Sequence, residues 1–494
     1  MATTTNDLRT DKATPTALPS GPRKLPYVGN MLSLRRNAPE YLQRLHRTYG
    51  DMATLHLGKT RVVALFRPEH VRYVLVEHPG NFSNQGAAPS DENGANEGLL
   101  TIDGERHRQQ RRAVQPAFHK KVVEGYAAVI DEYTQEMFKS WRVADTIDLS
   151  RAMQELTLRI VSKCLFSIDL SRQLSALGNA FNAFLGSQAS AAEDLLNIRI
   201  DNPITGYGKR RAAMRQLNML IYTLIAQRRD SVDEHNDFFS MLMTGTSGDP
   251  ERPKLTEKQI HDHILTFLAA GHETTANAVI WSVYLLSQYP ALREKLQEEI
   301  RTVLAGRAPT AEDIGKMPYL DWVLNEALRL YPPAWMQLRF VAKDFELDGV
   351  HLPAGTLLML SQWVIQRDPA IWEEPDEFRP ERWDPVNGEH VPPGAYFPFG
   401  GGPRMCIGMP FAQLEAKMIL ASLYQRYTPQ TDPNYQPGLK PLITLRPKNN
   451  LRVLLMPVNS NAEVQWKRIG GTALDGSERQ GCLPALLSLF GLLL

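Results

Sequence analysis

The stretch FPFGGGPRMCIGMPFAQLEAKMIL, from Phe397 to Leu420, contains a single cysteine, Cys406, directly before a run of residues with helical period. Four glycines lie between Gly400 and Gly408 and let the backbone come close to a large planar group. A helix that begins just after Cys406 points its N–H groups at the sulfur and stabilises a thiolate. A lone cysteine is most often a small buried hydrophobe, but this combination of glycines and helix indicates a ligand of haem iron.

A second stretch, LTFLAAGHETTANAVIWSVYLL from Leu265 to Leu286, predicts a helix with an unusual centre. Its apolar residues follow helical spacing, yet residues Gly271 to Thr275 are mostly polar and poor helix formers. Glycine costs about 1 kcal/mol in a helix interior, and a threonine hydroxyl competes for backbone hydrogen bonds. The pattern indicates either a structural accident or a site that needs close backbone approach, a carboxylate and a hydroxyl.

A zinc site does not explain this centre. His272 and Glu273 begin the motif in which two histidines one turn apart bind zinc beside a glutamate base. However, Ala276 stands where the second histidine is needed. His261 and His263 lie upstream, but residues two apart point to different faces of a helix and do not repair the motif.

The composition is that of an ordinary globular protein, because 43% of the 494 residues are hydrophobic and 22% are charged. The formal net charge of +1 gives no overall indication of nucleic-acid binding. The three cysteines, Cys164, Cys406 and Cys482, exclude a disulfide framework and fit a reducing cytoplasm. The polar N-terminus has no long apolar segment, so we expect a cytoplasmic protein without a transmembrane anchor.

The predicted fold class is mainly α with a minor β region, built as one large helical domain from residue 21 to residue 457. Residues 1–20 are expected to be a disordered lead, and residues 458–494 a disordered C-terminal extension. The end of this extension is apolar, but it is shorter than the roughly 20 residues that span a membrane. The alternative for this extension is a weak interfacial or partner-binding segment.

Several elements are predicted within the domain. A helix is expected from Pro39 to Tyr49, followed by a β-hairpin that turns at Gly58-Lys59. Residues Asn81 to Asn96 are polar and predict a long surface loop. The central helix is expected to run from Thr256 to Gln288, and a second β region from Arg339 to Trp363, with LPAGT as its turn.

The cysteine stretch resembles, position for position, the signature of the cytochrome P450 family of haem-thiolate monooxygenases. That signature has a phenylalanine, a glycine three residues later, then an arginine, the cysteine and a glycine at intervals of two. In this chain those positions are Phe399, Gly402, Arg404, Cys406 and Gly408.

Three further motifs similar to those of the family follow the expected order. The family's helical Glu–Arg pair is matched by Glu326 and Arg329, and the arginine that completes it by Arg382 in FRPERW. One departure is Gln366, where many members carry histidine before Arg367. The pattern of the family's oxygen-binding helix is matched by Ala270, Gly271, Glu273 and Thr274.

The resemblance implies haem b (iron protoporphyrin IX) as the cofactor, held between the central helix and the cysteine loop. It assigns Cys406 as the iron ligand and Phe399 as a shield for its thiolate. It further implies that Gly271 leaves room for dioxygen, that Thr274 donates a hydrogen bond to it, and that Glu273 relays protons from solvent. The expected haem contacts are His107, Arg111, Arg339, Phe399, Arg404, Gly408 and Ala270, of which the cationic residues face the haem carboxylates. The residues expected to give structural support are Glu326, Arg329 and Arg382.

The resemblance also implies a pocket for a lipophilic small molecule. The expected lining residues are Leu99, Leu100, Phe267, Ala334, Trp335 and Met336. A basic cluster indicates either a docking surface for an acidic ferredoxin or flavodoxin-type electron donor or a solvated basic face. Its members are Arg106, His107, Arg108, Arg111, Arg112, Lys120 and Lys121. No flavin or nicotinamide domain follows Pro457, so electrons are expected from separate proteins.

The residues and the resemblance together predict a monooxygenase that inserts one atom of O2 into a lipophilic small molecule. Fatty acid, terpenoid, steroid and polyketide substrates all stay open. The adjacent acid and alcohol, Glu273 and Thr274, favour this activity. The alternative is a peroxide-using hydroxylase or a haem-thiolate isomerase, and a haem sensor without catalysis is the third possibility.

Overall fold

Helices form most of the chain that the computed structural model describes, namely residues 18–84, 98–169, 178, 180, 201–229, 237–244 and 255–458. The prediction of a mainly α fold with a minor β region is confirmed. In chain order the helices are α1 (Met31–Tyr49), α2 (Pro68–Arg72), α3 (Gly104–Val114), α4 (Lys120–Gly125), α5 (Ala127–Phe138), α6 (Leu149–Phe166), α7 (Gly206–Arg229), α8 (Phe238–Thr244), α9 (Glu257–Gln288), α10 (Pro290–Leu304), α11 (Ala311–Ile314), α12 (Pro318–Leu330), α13 (Gln362–Ile365) and α14 (Met409–Arg426).

Three of the predicted segments lie largely outside the described residues. These are the N-terminal lead, most of the loop from Asn81 to Asn96, and the C-terminal extension with Cys482. The described start of the loop is a short helical turn at Pro79–Asn81 followed by a strand at Phe82–Ser83.

The central helix α9 begins and ends within one residue of its predicted limits. Thr256 caps it, because Thr256 Oγ1 accepts the Gln259 N–H at 3.2 Å while Gln259 Oε1 accepts the Thr256 N–H at 2.9 Å. With 32 residues α9 is about 48 Å long and crosses the domain. It packs against α6, α12 and α14. None of the helices in the described ranges is long and apolar enough to span a bilayer.

The first helix, α1, contains a break near the predicted start at Pro39. Asn37 has φ −165° and ψ 89°, which are not helical values, so α1 consists of two segments. The second segment ends at Tyr49, as predicted, and the first segment, from Met31, was not predicted. Pro39 lies just after the break, where its missing N–H costs no intrahelical hydrogen bond.

The main sheet has the strand order β1-β2-β8-β5-β3. Its strands are β1 (Met52–Leu57), β2 (Thr60–Leu65), β3 (Phe82–Ser83), β5 (Gln337–Val341) and β8 (Leu357–Leu360). The predicted hairpin is confirmed, since β1 pairs antiparallel with β2 and Gly58 at its turn has φ +57°. The second predicted β region is also confirmed, and Gly355 of LPAGT has φ +82° in its turn.

Smaller sheets complete the β structure that the described residues show. Their strands are β4 (Thr146–Asp148), β6 (Phe345–Leu347), β7 (Val350–Leu352), β9 (Tyr427–Gln430), β10 (Leu439–Pro441), β11 (Leu445–Pro447) and β12 (Arg452–Pro457). The β10–β11 hairpin is antiparallel, and it lies against α9, because Asn277 donates to Thr444 Oγ1 in its turn and Trp281 donates to Leu445 O at the start of β11. This contact brings the C-terminal part of the described chain to the predicted site.

Apolar side chains form one large core among the helices and two smaller cores on either side of the main sheet. The large core contains residues of α5, α6, α9, α12 and α14. Because α9 runs through this core and α14 follows the cysteine stretch directly, the two predicted halves of the site are held by the most buried part of the domain.

Candidate active site

The cysteine loop is held in place by its glycines. Gly402 has φ +61°, and a side chain there would overlap the backbone carbonyl oxygen of Leu75. Gly400 has φ +74°, and a Cβ there would lie 3.0 Å from the Gln337 side chain. These glycines therefore permit close packing within the protein, whereas the sequence suggested that they serve approach to a planar group. The Cys406 N–H donates to Phe399 O at 2.9 Å and closes the loop.

Cys406 lies one turn before α14 and has an exposed side. Burial of the thiol in the surrounding protein raises the pKa of Cys406. The N–H groups of Gly408 and Met409, together with the charge of Arg111, act in the opposite direction on this pKa. Burial has the larger effect on the free thiol, whereas the donors and the cation act to stabilise the thiolate form that a metal ligand needs.

Four basic residues lie around this loop and interact electrostatically with one another. His107 and Arg111 come from α3, Arg339 from β5, and Arg404 from the loop itself. Burial and the charges of Arg404 and Arg111 lower the pKa of His107 to about 4. Burial and the charge of Arg404 lower the pKa of Arg339 to about 10. His107 is therefore uncharged at neutral pH, whereas the three arginines form a cationic cluster. Partly buried like charges of this kind require anions nearby, and haem carboxylates meet that need.

The residues present therefore fit a haem group. Cys406 offers a thiolate to the iron, and the cationic cluster offers partners to the carboxylates. Phe399 is half-buried against the large core beside the loop. Gly408 lies next to the sulfur, because a Cβ built on it would be 3.9 Å from Cys406 Sγ. Phe118 joins the loop to α9, because its ring lies 4.0 Å from that same Cβ position and stacks on Phe267 with a centroid distance of 5.4 Å.

The middle of α9 is accessible on one side. Ala270 is exposed and Thr274 is half-buried, whereas the flanking residues His272 and Thr275 are buried. Thr274 Oγ1 donates to Ala270 O at 2.8 Å, Thr275 Oγ1 to Gly271 O at 3.2 Å, and the His272 Nδ1 to Leu268 O contact is 2.6 Å. Carbonyls of the preceding turn thus satisfy the polar side chains, so the helix continues through them without interruption.

Gly271 is explained by the packing of α9 against α6. A Cβ at Gly271 would lie 2.9 Å from Val161 Cγ2, which is too close for an unstrained contact. Thr157 of α6 also donates to His272 O at 2.8 Å and fixes the crossing of the two helices. The structure thus gives Gly271 a packing role, which differs from the predicted role of making room for dioxygen.

Glu273 is sealed from solvent, in contrast to the predicted relay that opens to water. Its side chain is 2% exposed and accepts hydrogen bonds from Thr444 Oγ1 and from the Arg446 guanidinium. Burial acts to raise the pKa of Glu273, but the charge and hydrogen bond of Arg446 lower it below the ordinary value. Arg446 could not be predicted from the sequence, because nothing in the local sequence of the β10–β11 hairpin connects it with α9.

The Glu–Arg network is fully buried. Glu326 accepts from Arg329 Nη2 at 2.8 Å and from Arg382 Nε at 2.8 Å, and the side chains of all three are inaccessible. Arg329 also donates to Gln366 O at 2.8 Å. Gln366 is well suited to its position, since its amide bonds to Arg329 O at 2.9 Å and to the Phe397 N–H at 3.1 Å. The network therefore ties α12 to the beginning of the cysteine stretch.

The predicted pocket residues differ in their surroundings. Leu99 and Phe267 are buried, Leu100 is 65% exposed, and Ala334 and Met336 are half-buried. The prediction for Trp335 is wrong, because Trp335 is 1% exposed and packs in the core between α1 and the main sheet. Its Nε1–H donates to Leu442 O at 3.0 Å, so its polar atom is engaged within the protein.

The predicted basic cluster divides into two groups. His107 is buried and Arg111 is half-buried, and these two residues belong to the haem site described above. The remaining members are exposed to solvent on α3 and α4, namely Arg106, Arg108, Arg112, Lys120 and Lys121.

Comparison with known proteins agrees with this site. The family model for cytochrome P450 matches residues 19–454. Cyclooctatin synthase of Streptomyces melanosporofaciens is 34% identical over 430 residues, which make up 86% of this chain and 92% of that protein. Pentalenene oxygenase of Streptomyces avermitilis is 30% identical over 88% of this chain and 96% of its own length.

A solved structure shows the same fold. The cyanobacterial CYP120A1 with bound retinoic acid superposes with a TM-score of 0.77 at 27% identity, covering 89% of this chain and 99% of that chain. Since the family model spans most of the chain and two relatives reach 30% identity or more, this chain belongs to the cytochrome P450 family and is a haem-dependent monooxygenase.

Proposed function

We propose that this monooxygenase inserts one atom of O2 into a terpenoid, using electrons from separate redox proteins in the cytoplasm. The names of two relatives and of the solved structure refer to cyclooctatin, pentalenene and retinoic acid. Pentalenene and retinoic acid are isoprenoid molecules with large apolar skeletons. Of the four lipophilic classes that the sequence leaves open, a terpenoid is therefore the best supported.

The observation that carries this proposal is the pairing of an accessible cysteine with an accessible strip of a buried helix. Cys406 and Ala270 are exposed and Thr274 is half-buried, although the loop and α9 lie against the large core. Phe118 and Phe267 bridge the two elements with an apolar aromatic contact. This arrangement supports a site in which the cofactor is held between the cysteine loop and α9, and an apolar molecule lies beside α9.

The haem supplies the activation of O2 when it is bound, and the thiolate of Cys406 favours cleavage of the O–O bond. The chain's own residues then have separate tasks. The cationic cluster of Arg111, Arg339 and Arg404 orients the cofactor through its carboxylates, and the uncharged His107 offers an N–H to them. Thr274 Oγ1 delivers a proton, for which it must leave Ala270 O. The carboxylate of Glu273, once it is released from Thr444 and Arg446, takes up the next proton and passes it to Thr274.

The exposed basic residues of α3 and α4 support an acidic electron donor of the ferredoxin or flavodoxin type. Arg112, Lys120 and Lys121 lie on the elements next to Arg111 and to the loop of Cys406. Electrostatic steering of this kind weakens as salt screens the charges. Reduction of the haem by such a donor should therefore slow as the ionic strength rises.

The test is a titration of the purified haem protein with terpenes, fatty acids, steroids and macrolides, followed by turnover with a ferredoxin, its reductase and NADPH. We expect a saturable shift of the Soret band with a terpenoid and a product that carries one atom from 18O2. A product formed with peroxide but not with the electron donor would instead identify the peroxide-using alternative. Saturable binding without any product would indicate a sensor, and turnover of a fatty acid in place of terpenes would overturn the substrate class.

A further inference from the structure

Asp103 occupies the N-cap of α3, but its carboxylate does not cap that helix. Aspartate is a preferred N-cap residue, and a side-chain cap contributes about 1 kcal/mol. Instead, the carboxylate accepts hydrogen bonds from Ser83 Oγ, from the Asn84 N–H at 2.9 Å and from Arg404. Its position is therefore determined by contacts outside its own helix.

These contacts tie two parts of the chain together. Asn84 Nδ2 donates to Leu100 O at 3.1 Å, so Ser83 and Asn84 are fastened to the segment from Leu99 to Asp103. Gly98, just before this segment, packs so closely on α9 that a side chain there would overlap Thr266 Oγ1. The segment is consequently held on α9 at one end and on the Asp103 carboxylate at the other.

Arg404 connects the same carboxylate to the cysteine loop. Besides its ion pair with Asp103, its guanidinium donates to Ile102 O at 2.5 Å and to Leu99 O at 3.3 Å. The backbone of Arg404 has little freedom, because Gly402 is packed against Leu75. Asp103 is thereby fixed to a residue that lies two positions before the iron ligand.

Asp103 also acts on the charges of the haem site. Its carboxylate counteracts the lowering of the pKa at His107, Arg339 and Arg404, where burial has the larger effect. A single anion thus opposes the mutual repulsion of Arg339 and Arg404 and also acts on the uncharged His107. A change of charge at Asp103 should therefore alter the electrostatic potential at the haem as well as the position of the segment that Asp103 holds.

We propose that Asp103 is a positioning residue that acts through Arg404 to couple the segment Leu99–Asp103 to the haem site. One carboxylate then sets both the affinity for a ligand that touches Leu99 or Leu100 and the reduction potential of the haem. The proposal rests on the proposed function, because the pocket expected for its lipophilic substrate includes these two leucines.

The test compares the haem-loaded protein with its Asp103→Asn variant, using redox titration and two nitrogen ligands of ferric haem. Loss of an anion beside the haem should make the reduction potential more positive. Affinity for 4-phenylimidazole, whose ring reaches into the pocket, should fall about tenfold, as expected when a charge-assisted hydrogen bond is lost. Affinity for imidazole, which is too small to reach the leucines, should stay within about twofold of the unsubstituted protein.

Two matched variants separate charge from geometry. Ser83→Ala removes one donor to Asp103 and keeps every charge, so it should weaken 4-phenylimidazole binding by about threefold without changing the potential. Asp103→Glu keeps the charge but displaces it. Its reduction potential should therefore lie nearer to that of the unsubstituted protein than the potential of Asp103→Asn does, while its affinity for 4-phenylimidazole falls. If Asp103→Asn fails to retain haem, the reduction potentials and ligand affinities of these two variants test the coupling in its place.

An unchanged potential in Asp103→Asn, or an equal loss of affinity for both nitrogen ligands, would overturn the coupling. Failure of the proposed function is distinguishable from this result. It would be seen as the absence of terpenoid product from the unsubstituted protein, whereas the potential and the nitrogen-ligand affinities do not depend on turnover.

Discussion

The surroundings of Cys406 and Cys164 differ, although both are free cysteines. Cys164 is buried in α6, and burial raises the pKa of its thiol well above the ordinary value. Cys406 meets the N–H groups of Gly408 and Met409. We expect Cys406→Ser to lose the CO-bound absorption band that is typical of thiolate-ligated haem, whereas Cys164→Ser keeps it. An unchanged CO-bound spectrum in Cys406→Ser would contradict the assignment of the iron ligand.

Thr274 and Thr275 are neighbours with similar hydrogen bonds and different exposure. Each hydroxyl donates to a carbonyl of the preceding turn, but Thr274 is half-buried on the accessible side of α9 and Thr275 is buried. Thr274→Ala removes the proposed proton donor, so we expect product per electron pair to fall at least about tenfold, with peroxide formed instead. Thr275→Ala is the control and should remain well coupled. Tight coupling in Thr274→Ala would refute the proton-delivery role.

Arg446 controls the protonation state of Glu273. Because Arg446 keeps the pKa of Glu273 below its ordinary value, Glu273 is ionised at neutral pH. In Arg446→Gln the burial of Glu273 acts without that opposing charge, so its pKa should rise. Glu273 relays a proton by taking it up as the carboxylate, and in the variant it stays protonated at low pH. We therefore expect the variant to couple electrons to product poorly at pH 6 and to improve as the pH is raised towards 8, whereas coupling in the unsubstituted protein changes little over this range.

The control for this prediction is Arg452→Gln, which removes an exposed arginine from the nearby strand β12. This variant should couple as the unsubstituted protein does at every pH. A flat pH profile in Arg446→Gln would show that Glu273 does not take part in proton delivery.

At the scale of elements, sequence patterns predicted those features that depend on neighbouring residues. The limits of α9 followed from its period and from Thr256 and Gln259, and the hairpin turn followed from Gly58. The first segment of α1 was not predicted, because Asn37 breaks the pattern between its two halves. Trp335 was wrongly assigned to the pocket, because Leu442, whose carbonyl accepts its Nε1–H, lies far away in the sequence.

The crossing of α9 and α6 gives a prediction at the same scale. A methyl group at Gly271 would lie 2.9 Å from Val161 Cγ2, so Gly271→Ala should destabilise the fold by about 1–3 kcal/mol through overpacking. Val161→Ala should relieve this strain, so the double variant should be more stable than the sum of the single effects predicts. Chemical denaturation of the three variants measures the coupling. Strictly additive effects would show that the two helices do not meet at Gly271.

At the scale of the whole molecule, the site depends on contacts between distant parts of the chain. Glu273 meets Arg446 of the β10–β11 hairpin, and Asp103 meets Arg404 of the cysteine loop. The residues of the cysteine loop and of the centre of α9 could be predicted, because each of these two motifs is local in sequence. Their partners could not, since an arginine on a short strand has no local feature that indicates which carboxylate it will meet.

His46 and Asp368 make a further long-range contact, which joins α1 to the turn that follows α13. His46 Nε2 lies 3.1 Å from Asp368 Oδ2 and its Nδ1 lies 3.1 Å from Gly50 O, so both ring nitrogens face acceptors. This environment favours the imidazolium, and the hydrogen bond to Asp368 raises the pKa of His46 above 6.5.

The sign of the resulting pH dependence is determined by that shift. Because the folded protein binds the proton more tightly than the unfolded chain, the contribution to stability is fully present below pH 6.5 and is lost as the pH rises through the folded-state pKa. His46→Gln should therefore lower the free energy of unfolding at pH 6 by about 1 kcal/mol and have less effect at pH 9. Urea unfolding at the two pH values measures this difference, with His390→Gln, at an exposed position, as the control. An equal effect of His46→Gln at both pH values would show that the contact stabilises the fold without a proton, because only a titrating group links stability to pH.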